Sequence, residues 1–398
     1  MARRTRAEHP WHMKTSFRRF LGRRPLLDPL VMMLLWFLAG CATTAPSKVG
    51  PMRSEATVQA ILDGAVQEFS LPGGQVAIRF GDGRTILASS GPGISNDSLF
   101  RVGSTTKMFV AALVFRLVDE GRMSIDDPID RWFPELPFAS LTTVKELLGH
   151  TSGLPENLFT DPLVLIPSLL FPKTRWEPRA MAPRLLKGVQ VPQDRRGRFL
   201  YSNDNYLLLG LIAETVRGRP LADQFQDEFF TPLGMKDTYL LPFYDKLPPE
   251  LGSGVDWYLP FGPHTVTPDT TSWDTLMFSA GALACTARDL SVWTEALFHG
   301  RILSAESQAR MRTYTDARNN GRDEAIVGYG LGLASYRIGE WTMEGHPGAA
   351  MGGECFPFYV PRLDAVVVVS YNLSRKGNPA GKAILARILG LLEPGSSN

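Results

Sequence analysis

The hydrophobic pattern of this chain is helix-like through its middle and strand-like towards both ends. Apolar positions recur at three- and four-residue steps in six segments that are predicted to be helices: residues 55–69, 104–120, 144–148, 204–216, 286–298 and 380–392. Short runs rich in β-branched and aromatic residues predict strands at residues 75–80, 84–89, 329–336, 341–345, 355–360 and 365–371. The simplest arrangement is one antiparallel sheet built from both ends of the chain, beside a lobe built from its middle.

The predicted fold class is therefore α+β, with an antiparallel sheet flanked by terminal helices plus an all-helical lobe. The sheet part is expected to comprise about residues 55–100 and 325–392, and the helical lobe about residues 101–324. A chain of 398 residues with 44% hydrophobic and 21% charged residues can bury a core of that size. Functional sites commonly form where two such lobes meet.

The first 40 residues differ from the rest in charge, and they predict an export signal. They hold 8 of the 42 Lys and Arg residues but only 2 of the 40 Asp and Glu residues, so the remaining chain has a formal charge of −4 rather than +2. That remainder gives no indication of nucleic-acid binding. The apolar stretch over residues 30–38 is too short to span a bilayer, which takes about 20 residues.

The residues after this stretch predict a lipid anchor. The motif at residues 38–41, Leu-Ala-Gly-Cys, resembles a bacterial lipobox in which Cys41 becomes lipidated; the alternative is an ordinary secretory signal or a cysteine that stands there by chance. Residues 41–54 are expected to form a short tether. The protein is thus expected to be exported to the cell envelope and anchored through its N-terminal lipid, facing the periplasm.

Cys285 and Cys355 are expected to be buried free thiols, with one disulfide as the alternative.

Ser104 and Lys107 lie one helical turn apart at the start of the strongly apolar helix predicted over residues 104–120. Residues at positions i and i+3 share a face, so the hydroxyl and the amine are expected to be neighbours. Serine is a poor nucleophile at its ordinary pKa, and a lysine partly desolvated against a buried helix can take its proton. The alternative is that Ser104 caps the helix and Lys107 is solvated.

Two later motifs can complete such a site. Tyr201 and Asn203 stand just before a predicted helix, where the phenol can pass a proton to a leaving group and the amide can orient the lysine. The alternative is that Ser202 or Asn203 simply caps the next helix while Tyr201 packs. His346 opens a His-Pro-Gly segment in which Gly348 would let a substrate approach and the imidazole could polarise the substrate or bind its carboxylate. A plain turn is the alternative there.

In this order, the motifs resemble those of the serine β-lactamase and penicillin-binding-protein superfamily, in particular its class C-like branch of hydrolases, D,D-peptidases and esterases. Ser104-x-x-Lys107 is similar to the first motif, Tyr201-x-Asn203 to the second, and the segment from His346 to a variant of the Lys-Thr-Gly third motif. Further similar segments are residues 147–155, 232–235, 279–281 and 286–290. The resemblance covers about residues 55–392 and implies one β-lactamase-related catalytic domain.

The resemblance implies an acyl-enzyme mechanism. Ser104 would attack an ester or amide carbonyl, Lys107 and Tyr201 would share the general-base and general-acid roles, and water would then release the acyl group. Which of the two removes the first proton stays open. The substrate and oxyanion contacts would come from Asn203, His346, Gly348 and Ala349, together with the N–H of Ser104. No cofactor and no metal ion is expected, since the chain has no His-Glu-x-x-His or Cys-x-x-Cys motif.

His346 departs from the pattern of classical β-lactamases, which carry a lysine at this position. Lysine keeps its charge at pH 7 whereas imidazole largely does not, so the sequence does not predict strong recognition of an anionic β-lactam. The expected substrate is a small or peptidoglycan-derived acyl compound: a D-amino-acid peptide, an ester or a β-lactam. A different class of function also stays open, in which the chain is a catalytically idle wall-binding or sensor protein of the same fold.

A very apolar segment, residues 163–171, separates the first two motifs. It is expected to be a buried irregular part of the helical lobe. The alternative is an apolar rim that receives an acyl chain or touches the membrane. His150, although it lies in one of the similar segments, is expected to be structural and to help position the loop near the site.

Overall fold

A nine-stranded antiparallel sheet with helices on both faces is the frame of the molecule. The structure is a computed structural model that describes residues 55–241, 248–256, 263–318, 321, 323–375 and 377–393. The predicted signal, the tether and Cys41 lie outside the described residues. Within them, none of the helices has the length and apolar character needed to cross a membrane.

The strands and helices have the following bounds. The strands are β1 Gly74–Phe80, β2 Thr85–Ser90, β3 Phe100–Arg101, β4 Thr238–Leu240, β5 Gly254–Asp256, β6 His264–Val266, β7 Leu283–Cys285, β8 Thr315–Asp316, β9 Ile326–Tyr329, β10 Ala334–Ile338, β11 Trp341–Gly345, β12 Gly348–Ala350, β13 Gly353–Val360, β14 Ala365–Tyr371 and β15 Leu373–Ser374. The helices are α1 Glu55–Glu68, α2 Thr106–Asp119, α3 Val144–Leu148, α4 Pro162–Leu170, α5 Pro178–Leu186, α6 Asn203–Arg217, α7 Leu221–Phe225, α8 Thr231–Leu233, α9 Thr271–Gly281, α10 Ala287–Phe298, α11 Ala305–Met311 and α12 Ala380–Leu392. The order in the large sheet is β2-β1-β14-β13-β11-β10-β9-β8, and β12 pairs with β13.

Strand β14 shows why both faces of the large sheet are covered. Its sequence, Ala-Val-Val-Val-Val-Ser-Tyr, has no polar alternation, and all seven residues are buried. Val366 and Val368 belong to the core that includes α10, whereas Val367 and Val369 belong to the core that includes α1 and α12. Successive side chains of a strand point to opposite faces, so a strand buried on both faces needs a continuous apolar run. The predicted α+β class, with a sheet built from both ends of the chain, is confirmed.

The middle of the chain is less purely helical than predicted. Strands β3, β7 and β4 form one three-stranded sheet, and β15, β5 and β6 form another. Strands of two or three residues contain too few side chains to produce a period-two pattern, so the all-helical lobe needs this correction. Cys285, at the end of β7, and Cys355 are buried free thiols, as expected.

The strand predicted over residues 329–336 is two strands, β9 and β10, joined by a turn. Gly332 in this turn has a φ of +95°, a conformation that favours glycine. A Cβ at Gly332 would lie 2.3 Å from the Cβ of Ala111 in α2. The chain turns here because it packs against a helix far away in sequence, which the local pattern cannot show.

The apolar segment over residues 163–171 belongs to helix α4 and is not the buried irregular segment that was predicted. Asp161 caps the helix by accepting the N–H of Leu163, and Pro162 stands at the start of the helix, where its missing N–H is not needed. Of the helix residues, Val164 and Ser168 are buried. Most of the other apolar side chains of the segment are exposed.

Candidate active site

Helix α2 runs through the larger core, and Lys107 lies in its first turn. Nearly every residue of the helix is buried, and Lys107 itself has an exposed fraction of 0%. Ser104 precedes the helix in the 3-10 turn Gly103–Thr105. A polar group at this depth needs hydrogen-bond partners, so the neighbours of Lys107 determine what the site can do.

Three acceptor atoms surround the amine of Lys107. Its Nζ lies 2.9 Å from Ser104 Oγ, 2.7 Å from Asn203 Oδ1 and 2.6 Å from the carbonyl oxygen of Ala280. An amide oxygen and a peptide carbonyl can only accept, so N–H bonds of the amine point at Asn203 and Ala280. One further bonding direction of Nζ faces Ser104. It holds either a lone pair, which can take the serine proton, or an N–H that donates a hydrogen bond to the serine oxygen.

The orientation of Asn203 is set by Glu156. The Glu156 Oε2 atom accepts the backbone N–H of Asn203 at 2.9 Å and its side-chain Nδ2 at 3.0 Å. A carboxylate oxygen holds the amide nitrogen on its own side, which leaves Oδ1 directed at Lys107. Nothing in the sequence singles out Glu156 except that it directly follows the family-like segment at residues 147–155.

Tyr201 is the second group in contact with Ser104. Its Oη lies 2.8 Å from Ser104 Oγ, and the centre of its ring lies 5.0 Å from Lys107 Nζ. The ring of His150 stacks on that of Tyr201 with centroids 4.2 Å apart, and its Nδ1 accepts the backbone N–H of Ser202 at 3.2 Å. Ser202 in turn caps helix α6. His150 thus holds the loop that carries Tyr201, in line with the structural role predicted for it.

The carbonyl of Ala280 comes from a distorted turn of helix α9. Phe278 has φ 38° and ψ −117° inside this helix, a region that is strained for any residue except glycine. The hydroxyl of Ser279 donates to the carbonyl of Tyr206 in α6 at 2.7 Å, which fixes the distorted turn. The strained segment thus supplies a main-chain acceptor to Lys107. Every residue has a main-chain carbonyl, so the sequence cannot show which one takes this role.

Strand β12 lies directly over the turn that carries Ser104. A Cβ at Gly348 would lie 1.9 Å from the carbonyl oxygen of Val102. A Cβ at Gly103 would lie 2.3 Å from the carbonyl oxygen of Ala349, so neither position has room for a side chain. Gly103 also has a φ of +53°. Glycine at both positions allows the main chain of Ala349 to run beside Ser104, where the predicted oxyanion hole requires it.

The imidazole of His346 makes its contacts within the protein. The residue is 2% exposed, and its backbone carbonyl accepts the hydroxyl of Thr105 at 2.9 Å. Nδ1 lies 2.7 Å from the carbonyl of Pro347, and Nε2 lies 2.9 Å from Tyr329 Oη. Burial, with a smaller effect of the Lys107 charge, lowers the pKa of His346 to about 3. The ring is neutral near pH 7 with both nitrogens engaged within the protein, so these contacts give no support to carboxylate binding, and a role of His346 in substrate contact stays a prediction.

Asp204, next to Asn203, is a buried carboxyl group close to Glu156. It accepts the backbone N–H of Asn157 at 2.7 Å. Burial, together with the charge of Glu156, raises the pKa of Asp204 to about 8. Asp204 therefore holds a proton near pH 7, which avoids two adjacent negative charges behind Asn203.

In the part of the chain that the structure describes, no group of three or more His, Cys, Asp or Glu side chains is placed to hold a metal ion.

The chain has recognisable relatives among known proteins. The family model described as Beta-lactamase matches residues 58–391. Penicillin-binding protein 4 of Amycolatopsis lactamdurans is 27% identical over 328 residues, which cover 77% of this chain and 82% of that protein. A Bacillus subtilis protein named as a penicillin-binding protein, PbpX, is 28% identical over 226 residues, or 55% of this chain and 52% of that protein, so this chain spans about half of its length.

A solved structure of similar fold is that of D-amino acid amidase from Ochrobactrum anthropi SV3 in complex with D-phenylalanine. It superimposes with a TM-score of 0.73 at 28% sequence identity, and the match covers 84% of this chain and 98% of that one. Nearly the whole of that enzyme thus has a counterpart in this chain.

The contact of Glu156 with Asn203 leads to a testable prediction. We expect Glu156→Ala to lower kcat on a nitrophenyl ester by about 10- to 100-fold with little change in KM, because the amide of Asn203 loses the partner that orients it towards Lys107. Glu156→Gln keeps an oxygen in place and is expected to retain most of the activity. A correctly folded Glu156→Ala protein with the wild-type kcat would contradict this positioning role.

Proposed function

Since the chain belongs to the beta-lactamase family, we propose that it is a serine hydrolase that forms an acyl-enzyme at Ser104. The observation that carries this proposal is the contact of Ser104 Oγ with both Lys107 Nζ at 2.9 Å and Tyr201 Oη at 2.8 Å. Covalent catalysis needs a nucleophile within hydrogen-bond reach of groups that can take and return its proton.

In the proposed mechanism, Lys107 is the general base for the first step. Asn203 and Ala280 accept N–H bonds of the amine, so a lone pair on the neutral nitrogen is directed at Ser104 Oγ. The amine takes the serine proton as Oγ attacks the carbonyl carbon of an ester or amide. Tyr201 gives its phenolic proton to the leaving alcohol or amine, and the proton held by Lys107 restores the phenol. Water then attacks the acyl-enzyme and releases the acid.

The negative charge that develops on the substrate carbonyl is proposed to be held by the backbone N–H groups of Ser104 and Ala349. The close glycine contacts at Gly103 and Gly348 support this role, because they fix the two stretches of main chain against each other. Fixed donors need no reorganisation during the reaction, and one such donor is typically worth about 10²- to 10³-fold in kcat.

We propose an acyl donor that carries no carboxylate, an ester or an amide, as the preferred substrate class. His346 is buried and both its nitrogens are engaged, so the third motif supplies no positive charge to a substrate carboxylate. The similarity to D-amino acid amidase supports amides of D-amino acids as the first compounds to test.

The proposed place of action is the cell envelope, with Cys41 as the lipid attachment point.

Intact mass spectrometry tests the nucleophile. Wild-type protein exposed to a nitrophenyl ester, a D-amino-acid amide or benzylpenicillin is expected to gain one acyl group from at least the ester, and Ser104→Ala to gain none. Lys107 and Tyr201 remain in that control, so it removes the nucleophile alone. An adduct that persists in Ser104→Ala would refute the assignment, and an inert wild type would favour the wall-binding or sensor protein.

Two acyl donors, one anionic and one neutral, test the substrate class. Benzylpenicillin and its methyl ester share the β-lactam ring, but only the acid carries a carboxylate. Because His346 supplies no charge, we expect their acylation rate constants to agree within about threefold, whereas a charge-assisted hydrogen bond of about 1.5–3 kcal/mol would favour the acid by about 10- to 150-fold. A methyl ester slower than the acid by more than tenfold would show that the site binds the carboxylate.

A further inference from the structure

Large hydrophobic side chains lie exposed on one short stretch of the chain around helix α4. We name them the α4 face: Phe159 (39% exposed), Leu163 (63%), Ile166 (52%), Leu170 (66%) and Phe171 (62%). Among the described residues, one other large hydrophobic side chain, Leu141, is comparably exposed. Single exposed apolar residues are ordinary, but five within 13 residues of the chain call for an explanation, and exposed apolar patches are typical of interaction surfaces.

The α4 face is held rigidly, because the opposite side of the helix is attached to the domain. The exposed positions in the helix follow helical spacing: Leu163, Ile166 and Leu170. On the other side, the hydroxyl of Ser168 accepts the indole N–H of Trp176 at 2.9 Å, and its carbonyl accepts the hydroxyl of Ser272 at 3.0 Å. The helix therefore cannot turn its apolar side inward without breaking buried hydrogen bonds.

Basic side chains follow the α4 face directly. Residues 172–187 include five exposed basic side chains and one acidic one, Glu177, which gives this segment a net charge of +4 in a chain whose residues after position 40 sum to −4. The basic residues are Lys173, Arg175, Arg179, Arg184 and Lys187. Lys173 pairs with Asp269 at 2.9 Å, and Arg179 lies 3.9 Å from Glu214, so acidic side chains outside the segment offset part of its charge.

We infer that the α4 face docks onto the surface of an anionic lipid bilayer. An exposed apolar helix face and a basic segment that follows it in sequence are two features that bind proteins to anionic membranes, because apolar side chains can lie among the acyl chains and basic side chains are attracted to the headgroups. A symmetric contact with a second copy would place two such basic segments against each other, which is unfavourable.

The position of the predicted lipid anchor fits this docking. Cys41 lies 14 residues before Glu55, the first described residue, and an extended chain of that length reaches at most about 50 Å. The domain would therefore stay close to the bilayer whenever the anchor is inserted. Stable attachment generally takes two membrane signals, and the α4 face would supply the second. This inference does not depend on the acyl-transfer chemistry proposed above.

A fluorophore placed on the face tests the docking in the full chain. Ile166→Cys, in a Cys41→Ser background, is labelled with an environment-sensitive dye; the native Cys285 and Cys355 are buried. Leu141→Cys, at an exposed apolar residue outside the face, is the matched control. We expect a blue shift of the emission at position 166, but not at 141, with vesicles of phosphatidylcholine and phosphatidylglycerol, and a smaller shift with phosphatidylcholine alone. Leu163→Ser with Leu170→Ser is expected to abolish the shift.

Three results would overturn the docking. No shift at position 166, although the protein sediments with the vesicles, would mean that the N-terminal region alone binds them. Equal shifts at both positions would mean non-specific insertion. A shift at 166 that grows with protein concentration without vesicles would assign the face to a second copy. Turnover of a nitrophenyl ester, measured in parallel, reports separately on the proposed hydrolase.

Discussion

The burial of the Lys107 amine is the constraint on which the rest of the structure depends. An amine without solvent contact is costly unless acceptors surround it. These acceptors come from distant parts of the chain, since Asn203 begins helix α6 and Ala280 lies near the end of helix α9. Their convergence on one nitrogen holds these two helices against α2. The same contacts direct that nitrogen at Ser104, so folding and catalysis have one requirement in common.

The supporting features of the site follow from this requirement. Glu156 keeps the oxygen of Asn203 turned towards the amine, and the strained turn at Phe278 brings in the carbonyl of Ala280. Because the buried imidazole of His346 is neutral, it places no positive charge beside the amine of Lys107. These features support the proposal that the site moves a proton at Ser104 and does not depend on a negative charge of the substrate.

The sequence predicts those features whose signal is local. The i and i+3 spacing places Ser104 beside Lys107, and the apolar run of β14 is continuous because both its faces are buried. Features that depend on contacts between distant segments stay hidden, such as the inward-facing ring of His346 and the carboxylate of Glu156. The apolar segment of α4 is a different case. Apolar runs are usually buried, so the sequence pattern favours burial even where the folded chain leaves one helix face exposed, as in α4.

The most direct test of the role given to Lys107 is the rate at which a fluorophosphonate labels Ser104. Lys107→Met keeps a long side chain and removes the amine, and thermal unfolding would verify that the variant is folded. We expect labelling to be about 10²- to 10⁴-fold slower in Lys107→Met than in the wild type, with the label mapped to Ser104 in both. Labelling of a folded Lys107→Met at the wild-type rate, or on a residue other than Ser104, would contradict the central role of this amine.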